Sequence, residues 1–249
     1  ETELSTTAPD LNKQETELYI LDQTINERGF QLDRQAVLTA QKLIAVESRF
    51  LNQELKVITS GQVARATQRA QMMTWFSAHG LNLTDTQSAT ITEALENHCG
   101  LSPEVVHALT LVKNLGRSST AKYESMANWL CPDNRVRGGL LFHGASTGRW
   151  SGSGVQPHNF VRSSLPKGTT QDQLWEMLKT QSRKMIQATY GSVLDALANG
   201  LRGAIVARSN TELYVADYSA IEARVVMWLA DDQEALDIFR RGEDIYCRM

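Results

Sequence analysis

The sequence has few of the features that mark disulfide-rich, zinc-binding, membrane or secreted proteins. Its three cysteines, Cys99, Cys131 and Cys247, are far apart and form no Cys-x-x-Cys pair, so neither a disulfide framework nor a zinc site is indicated. No stretch approaches the roughly eighteen consecutive apolar residues that a membrane span needs, and no secretory signal is visible. These absences favour a reducing, intracellular protein with no membrane partner.

The sequence does contain enough apolar residues to form a core. The chain has 249 residues, of which 42% are apolar, and this length suits one large domain or two small ones. It begins with Glu1 and ends at Met249, directly after residues that are typical of a helix start. We therefore expect it to be a piece of a longer protein.

The charge is unevenly distributed along the chain. The formal net charge is -3, which argues against a nucleic-acid-binding protein, since such proteins usually carry a basic excess that displaces counterions from phosphates. Residues 113–184, however, contain eleven Lys and Arg against four Asp and Glu, so this segment carries +7 and the remainder -10. Composition alone supports nucleic-acid binding and a solvated basic face equally well.

The pattern of apolar residues predicts an α+β fold in which helices dominate. Residues 1–17 form a polar leader, and Asp33 is the predicted N-cap of a helix of about 25 residues in which Val37, Ile44, Leu51 and Ile58 recur every seven positions. At about 38 Å this helix is long enough to be an arm, although an ordinary packing helix is a better interpretation than a ligand-binding one.

Further elements follow from periodicity and from the positions of glycine and proline. Helices are predicted for residues 61–78, 86–98, 103–114 and 173–199, and a strand or hairpin for residues 135–143, followed by a glycine-rich loop. A short strand is predicted for residues 213–217, leading into a helix at residues 220–230.

Residues 214–224 are the segment with the clearest chemical potential. The predicted strand places Asp217 at its carboxyl end, and a carboxylate beside a free carbonyl is a plausible half-site for Mg²⁺, which prefers oxygen ligands. A structural alternative is that Ser219 and Glu222 form a capping box and that Asp217 forms a turn. Spacing alone favours the structural alternative.

Two motifs resemble those of the family A DNA polymerases, the bacterial polymerase I and bacteriophage type. The run Asp-Tyr-Ser-x-Ile-Glu-x-Arg at residues 217–224 resembles the first catalytic motif, and Thr-Gly-Arg-Trp-Ser at residues 147–151 is similar to the segment that lines the primer–template. Residues 25–29 resemble the start of the polymerase region. The resemblance covers residues 18–249 and implies a largely helical thumb region at 18–134. It also implies the first part of an antiparallel-sheet palm at 135–249.

The resemblance implies roles for five residues of the first motif. Asp217 would bind both Mg²⁺ ions of a two-metal phosphoryl-transfer site, with the carbonyl of Tyr218 as a further ligand. Ser219, Ile221 and Glu222 would bind the incoming nucleotide. Glu222 would leave no room for a 2′-hydroxyl, and the capping box would then be a second use of the same turn.

The resemblance also implies contacts with primer–template DNA. Arg149 would reach the minor groove at the primer end, where acceptors common to all base pairs permit a check of geometry without reading sequence. Minor-groove and template contacts would come from Gln156, His158 and Asn159, and backbone contacts from Ser118, Ser119 and Lys122. The chain departs from the family in having His158 where glutamine is common and Val161 where proline is usual, so His158 is equally well explained as a surface histidine.

The chain lacks other parts of such an enzyme. Two-metal chemistry needs a second carboxylate, which the family supplies from a His-Asp pair, and no His-Asp pair occurs here. Asp231 and Asp232 cannot supply this carboxylate, because they are expected about 20 Å along the helix from Asp217. The basic fingers helix is missing too. We therefore expect a fragment that is inactive alone.

The implied partners are primer–template DNA, deoxynucleoside triphosphates and the remainder of the polymerase. The implied location is the cytoplasm of a bacterial cell or of a phage-infected host. Two alternatives stay open: a single-subunit RNA polymerase relative, against which Glu222 argues, and a non-catalytic module that binds duplex DNA.

Overall fold

The structure, a computed structural model, describes residues 12–97 and 100–245, apart from the side chain of Ser118. These residues form two compact units, the first ending at Arg208 and the second beginning at Ser209. The predicted fold class is confirmed, because the chain is mainly helical and its strands pair antiparallel in two small sheets. Cys131 is a free thiol, whereas Cys99 and Cys247 lie outside the described residues.

Helices make up most of both units, and short strands connect some of them. The helices of the first unit are α1 (Lys13–Arg28), α2 (Arg34–Ile58), α3 (Arg69–Ala78), α4 (Ser88–Glu96), α5 (Pro103–Leu115), α6 (Ala121–Trp129), α7 (Gln171–Lys179), α8 (Arg183–Tyr190) and α9 (Val193–Gly200). Its strands are β1 (Phe30–Leu32), β2 (Arg135–Val136), β3 (Leu140–Leu141), β4 (Ser151–Gly152) and β5 (Ile205–Val206). The second unit contains α10 (Ile221–Leu229) and α11 (Gln233–Arg240). In the described ranges no helix is long and apolar enough to cross a membrane.

Helix α2 is the centre of the core of the first unit. Asp33 caps it as predicted, since its carboxylate accepts a hydrogen bond from the backbone nitrogen of Ala36 at 2.9 Å. Buried residues occur along its length, and α5, α6, α7 and α9 all pack against it. The expectation of a projecting arm is therefore wrong, and the interpretation as a packing helix is correct.

The predicted seven-residue repeat of α2 faces this core. Val37 and Leu51 are buried, and Ile44 and Ile58 are partly buried against the same cluster. Phe50, which flanks the repeat, is 55% exposed. The buried stripe is thus narrower than the apolar pattern, because the four neighbouring helices leave one flank of α2 in solvent.

A three-stranded antiparallel sheet joins distant parts of the first unit. Strand β1 lies in the middle, with Gln31 paired to Arg135 of β2 on one side and to Val206 of β5 on the other. Gly29 connects α1 to β1 with a φ of 58°, a left-handed conformation that residues with a Cβ rarely adopt. A Cβ at this position would also overlap the carbonyl oxygen of Val136. Glycine is therefore required where the chain turns from α1 into the sheet.

Several predicted helices have different limits in the structure. Helix α1 begins at Lys13, so the end of the predicted leader is helical, and residues 1–11 of that leader lie outside the described residues. The helix predicted for residues 61–78 is confined to α3, since residues 61–68 form turns. The helix predicted for residues 173–199 is divided into α7, α8 and α9, because Gln181 and Gly191 adopt positive φ between them.

The strand predicted for residues 213–217 does not form. These residues have no regular secondary structure, no described residue pairs with them in a sheet, and Tyr214 and Val215 are 91% and 90% exposed. Residues with high β propensity form a strand only when a neighbouring strand supplies the other half of the hydrogen-bond ladder.

The second unit is a pair of short helices. Phe239 of α11 is buried, together with Ala235 and Ile245, against the inner face of α10. Arg224 of α10 places its guanidinium carbon 4.4 Å from the centre of the Phe239 ring, a distance typical of a cation–π interaction. This packing fixes the first turn of α10 on α11.

Substituting Gly29 by alanine is expected to destabilise the chain by about 2–4 kcal/mol, because the strain of a positive φ adds to the overlap with Val136. Gly61→Ala is the matched control, since Gly61 also has a positive φ but a Cβ there meets nothing within 4 Å; its cost should be about 1 kcal/mol. Urea denaturation of both variants measures the difference, and equal losses would contradict the overlap.

Candidate functional site

The hairpin formed by β3 and β4 carries the loop predicted to line the primer–template. Leu140 pairs with Gly152 and Leu141 with Ser151. The loop between them is closed by two backbone hydrogen bonds, from Ala145 N to Arg149 O at 3.1 Å and from Gly148 N to Ala145 O at 2.9 Å. Arg149 lies at this turn with an exposed side chain. The loop is therefore an ordered turn that presents Arg149 to solvent.

The other three residues of this predicted site surround β4. Gln156, which has a positive φ of 51°, donates from Nε2 to the carbonyl oxygen of Gly152 at 2.9 Å and accepts a hydrogen bond from Asn159 Nδ2 at 3.1 Å. The imidazole of His158 lies so close to Gly152 that a Cβ there would overlap it. The structure thus brings Gln156, His158 and Asn159 together beside the hairpin that holds Arg149.

A mainly apolar cavity of about 310 Å³ lies next to this cluster. His158 and Asn26 contribute its polar groups, and Ile25, Phe30 and Leu140 line the rest. His158 is exposed, as a surface histidine would be, but its ring contacts β4 and lines a cavity that extends towards α1.

The residues predicted to contact the DNA backbone lie at the start of α6. Ser118 and Ser119 belong to a single 3₁₀ turn, Ser118–Thr120, and Lys122 follows in the first turn of α6. Tyr123 anchors this turn: it is fully buried, and its hydroxyl donates to the carbonyl oxygen of Leu197 at 2.8 Å. Burial also raises the pKa of Tyr123. The position of Lys122 is thereby fixed by the core.

Many cations of the basic segment bind acidic side chains or carbonyl oxygens within the protein. Ion pairs join Arg117 to Asp195, Arg137 to Asp133, Lys179 to Glu176 and Arg183 to Glu47, and Arg135 donates to the carbonyl oxygens of Arg28 and Gly29. Lys113, Lys122, Arg162, Lys167 and Lys184 form no salt bridge within the described ranges. The charge available to phosphates is therefore smaller than the +7 of the segment.

The segment that contains Asp217 belongs to the second unit. Asp217 and Tyr218 are exposed in a stretch without regular secondary structure, and Tyr218 is 81% exposed. The carbonyl oxygen of Ser219 accepts a hydrogen bond from Arg224 Nε at 2.8 Å, which holds the turn on the first helical residues. Ile221 is 46% exposed, and Glu222 is exposed in the first turn of α10. The structure thus places all five predicted residues of the first motif along one surface segment.

The predicted capping box is wrong. Ala220, not Ser219, precedes α10, its backbone is left-handed with a φ of 50°, and no side chain caps the helix. Because α10 begins at Ile221, Glu222 is the second helical residue instead of the third. A reciprocal capping box requires the acidic side chain at the third helical position.

The residues present fit one part of a magnesium site. The Asp217 carboxylate and the Tyr218 carbonyl supply oxygen ligands of the kind that Mg²⁺ prefers. Among the described residues, however, no group of three or more His, Cys, Asp or Glu side chains could hold a metal ion. Further ligands would have to come from outside the described residues.

Two residues of α1 that the motifs do not include contact the hairpin. Asp22 is 1% exposed and accepts a hydrogen bond from Trp150 Nε1 at 2.8 Å, and Asn26 binds the backbone of Leu140. The only local signal is that Asp22 and Asn26 are four residues apart and so share one helix face. Their partners lie more than a hundred residues away in the sequence.

A comparison with known proteins bears on these motifs. The chain is 37% identical over 237 residues to a protein named DNA polymerase from Bacillus phage SP02, and the alignment covers 93% of this chain. The chain is similar to a phage DNA polymerase. It spans 35% of the length of that DNA polymerase. No protein-family model matches the chain, and no solved structure matches it significantly.

The alignment with the phage DNA polymerase includes both motifs. It leaves out only 7% of the chain, and residue 224 is farther from the C-terminus than that, so neither residues 147–159 nor residues 217–224 can lie outside it. The similarity therefore extends over the hairpin, its neighbouring turn and the Asp217 segment.

Because of its ion pair with Arg137, the Asp133 carboxylate is expected to stay ionised at unusually low pH. Two hydrogen bonds from the Arg137 guanidinium, at 2.9 and 2.6 Å, lower the pKa of Asp133 from 3.8 to about 2. Its contribution to stability should be complete above pH 3.8 and should disappear as the pH falls through 2. In Arg137→Gln the pKa of Asp133, followed by carbon-13 NMR, should return towards 3.8. Arg135→Gln is the control: it removes a neighbouring cation whose side chain donates only to carbonyl oxygens, so the pKa of Asp133 should stay low.

Proposed function

We propose that this chain is part of a family A DNA polymerase in which it holds the primer–template and supplies the first catalytic carboxylate. The observation that carries the proposal is the 37% identity to the DNA polymerase of Bacillus phage SP02 over an alignment that includes both motifs. In this proposal residues 18–134 belong to the thumb and residues 135–249 to the first part of the palm. The remainder of the polymerase would provide the fingers and the second carboxylate.

The exposed segment before α10 suits a catalytic role because it presents the oxygen atoms that the reaction needs. Asp217 and the Tyr218 carbonyl would be ligands of the two Mg²⁺ ions, which stabilise the attacking 3′-hydroxyl and the departing pyrophosphate when bound. Ser219, Ile221 and Glu222 follow directly and would contact the incoming deoxynucleoside triphosphate. The side chains of Ile221 and Glu222 project from the first turn of α10, which the Arg224 contacts with Ser219 and Phe239 hold in place.

The hairpin and the turn beside it suit the binding of duplex DNA. Arg149 is exposed on an ordered turn, and Gln156, His158 and Asn159 lie together beside it. Neutral donors beside a hairpin that carries an exposed guanidinium suit the minor groove, whose acceptors are common to all base pairs. Lys122 and the serines before α6 would contact phosphates, which position a duplex without reading its sequence.

The same proposal includes the cell compartment and the process. A polymerase of this kind would act in DNA replication in the cytoplasm of a bacterial cell or of a phage-infected host.

In the complete polymerase that contains this chain, Asp217→Asn is expected to reduce primer extension at least about 100-fold, because it removes a charged ligand from the metal ions. Duplex binding should change little. Asp231→Asn is the matched control, since Asp231 follows the far end of α10, and it should leave extension unchanged. A polymerase that binds duplex DNA but shows no magnesium-dependent extension at all would favour the non-catalytic module.

Glu222→Ala is expected to increase the incorporation of ribonucleotides relative to deoxyribonucleotides, because it opens the space that a 2′-hydroxyl would occupy. Single-nucleotide extension with each triphosphate measures this ratio in the complete polymerase. Glu234→Ala, which removes a carboxylate from the first turn of α11, is the control and should not alter the ratio. Unchanged discrimination in Glu222→Ala would contradict the steric role.

A further inference from the structure

The buried carboxylate of Asp22 is unusual in its choice of partners. It is 1% exposed, yet its hydrogen bonds within the described ranges all come from neutral donors: Trp150 Nε1 at 2.8 Å, Asn26 Nδ2 at 3.1 Å and Gln23 Nε2 at 3.1 Å. Burying a carboxylate without a cation is costly, so such groups persist where several donors converge on them. The Trp150 donor belongs to the hairpin loop, 128 residues away.

Asn26, one turn later on the same face of α1, binds the start of the hairpin. Its Nδ2 donates to the carbonyl oxygen of Leu140 at 3.0 Å, and its Oδ1 accepts from the Leu140 backbone nitrogen at 2.9 Å. Its own carbonyl oxygen accepts from Gly138 N at 3.1 Å. The carboxamide therefore pairs with β3 as a neighbouring strand would. Asp22 in turn accepts from the same carboxamide and so fixes its orientation.

Aromatic rings make a second connection between α1 and the loop. Phe142, directly after β3, contacts Tyr19 of α1 edge to face with ring centres 5.6 Å apart. Phe142 also contacts Trp150, directly before β4, at 5.7 Å. Edge-to-face pairs at these distances are attractive beyond the burial of their area. Both ends of the loop at residues 142–150 are thus fixed to α1.

We propose that Asp22 and Asn26 are positioning residues that fix the loop on α1 and so present Arg149 to the DNA minor groove. Arg149 precedes Trp150, so the Asp22 hydrogen bond acts one residue from the guanidinium. A loop held in this way loses less conformational freedom when DNA binds than a loop that must first become ordered. The inference rests on the proposed function, since it assigns Asp22 and Asn26 to the duplex-binding part of the polymerase.

The first experiment measures the attachment of the loop without DNA. In the complete polymerase labelled with fluorotryptophan, the fluorine-19 resonance of Trp150, assigned with Trp150→Phe, should shift or broaden in Asp22→Ala and in Asn26→Ala. Glu17→Ala removes an exposed carboxylate from the same helix and should leave the resonance unchanged. An unaltered resonance in both test variants would overturn the proposed attachment.

The second experiment separates positioning from general stabilisation. Asp22→Ala should weaken the affinity for primer–template duplex about 10-fold at fixed salt, the effect of losing one hydrogen bond to a charged group. In an Arg149→Ala background, Asp22→Ala should weaken the affinity less than about 2-fold, because the guanidinium that Asp22 positions is already absent. Additive losses would show that Asp22 acts only on overall stability and would overturn the proposal.

A milder variant covers the case in which Asp22→Ala fails to fold. Trp150→Phe removes the indole N–H donor but keeps an aromatic ring at this position, so it should weaken duplex binding and show the same non-additivity with Arg149→Ala. Full affinity in Trp150→Phe would contradict the role of this hydrogen bond. If the complete polymerase binds no duplex at all, the proposed function and the positioning role both fail, even if the fluorine signal moves. If it binds and extends while the losses add, only the positioning role fails.

Discussion

The burial of α2 is the interaction on which the rest of the first unit depends. Four helices pack around it, and its N-cap Asp33 directly follows β1, the central strand of the three-stranded sheet. Helix α1 joins that strand through Gly29, so its position follows from the sheet. Helix α1 in turn binds the hairpin that carries Arg149. A side chain on the surface is thus connected to the core through one helix and one short strand.

Local signals in the sequence predict some elements well. The cap and length of α2 follow from Asp33 and from the repeat of Val37 and Leu51, because capping and amphipathicity act within a few residues. The local pattern at residues 213–217 could not predict whether a strand forms there, since a strand depends on a partner elsewhere in the chain. The capping box failed for a related reason: Ala220 takes a left-handed backbone that residue types alone do not reveal.

Only some of the contacts around the candidate site follow from the sequence. The grouping of Gln156 and Asn159 around β4 follows from their closeness in sequence. The contribution of Asp22 does not, because its burial depends on Trp150, which is 128 residues distant. The net charge of residues 113–184 also overestimates the positive charge available on the surface, since Arg117 and Arg183 form ion pairs with acidic residues of other helices. Long-range contacts therefore decide which polar residues are available to a ligand.

The position of β1 between β2 and β5 has a consequence for synthesis of the chain. Its two partners, Arg135 and Val206, follow Gln31 by about 100 and 175 residues. At roughly 5–20 residues per second, a ribosome needs on the order of 10–30 s to make the second partner after the first strand is complete. Throughout that interval β1 has an unpaired edge, and only three residues of it are exposed to wrong pairing. Because β1 is short, the delay before it pairs with β5 carries little risk of wrong pairing.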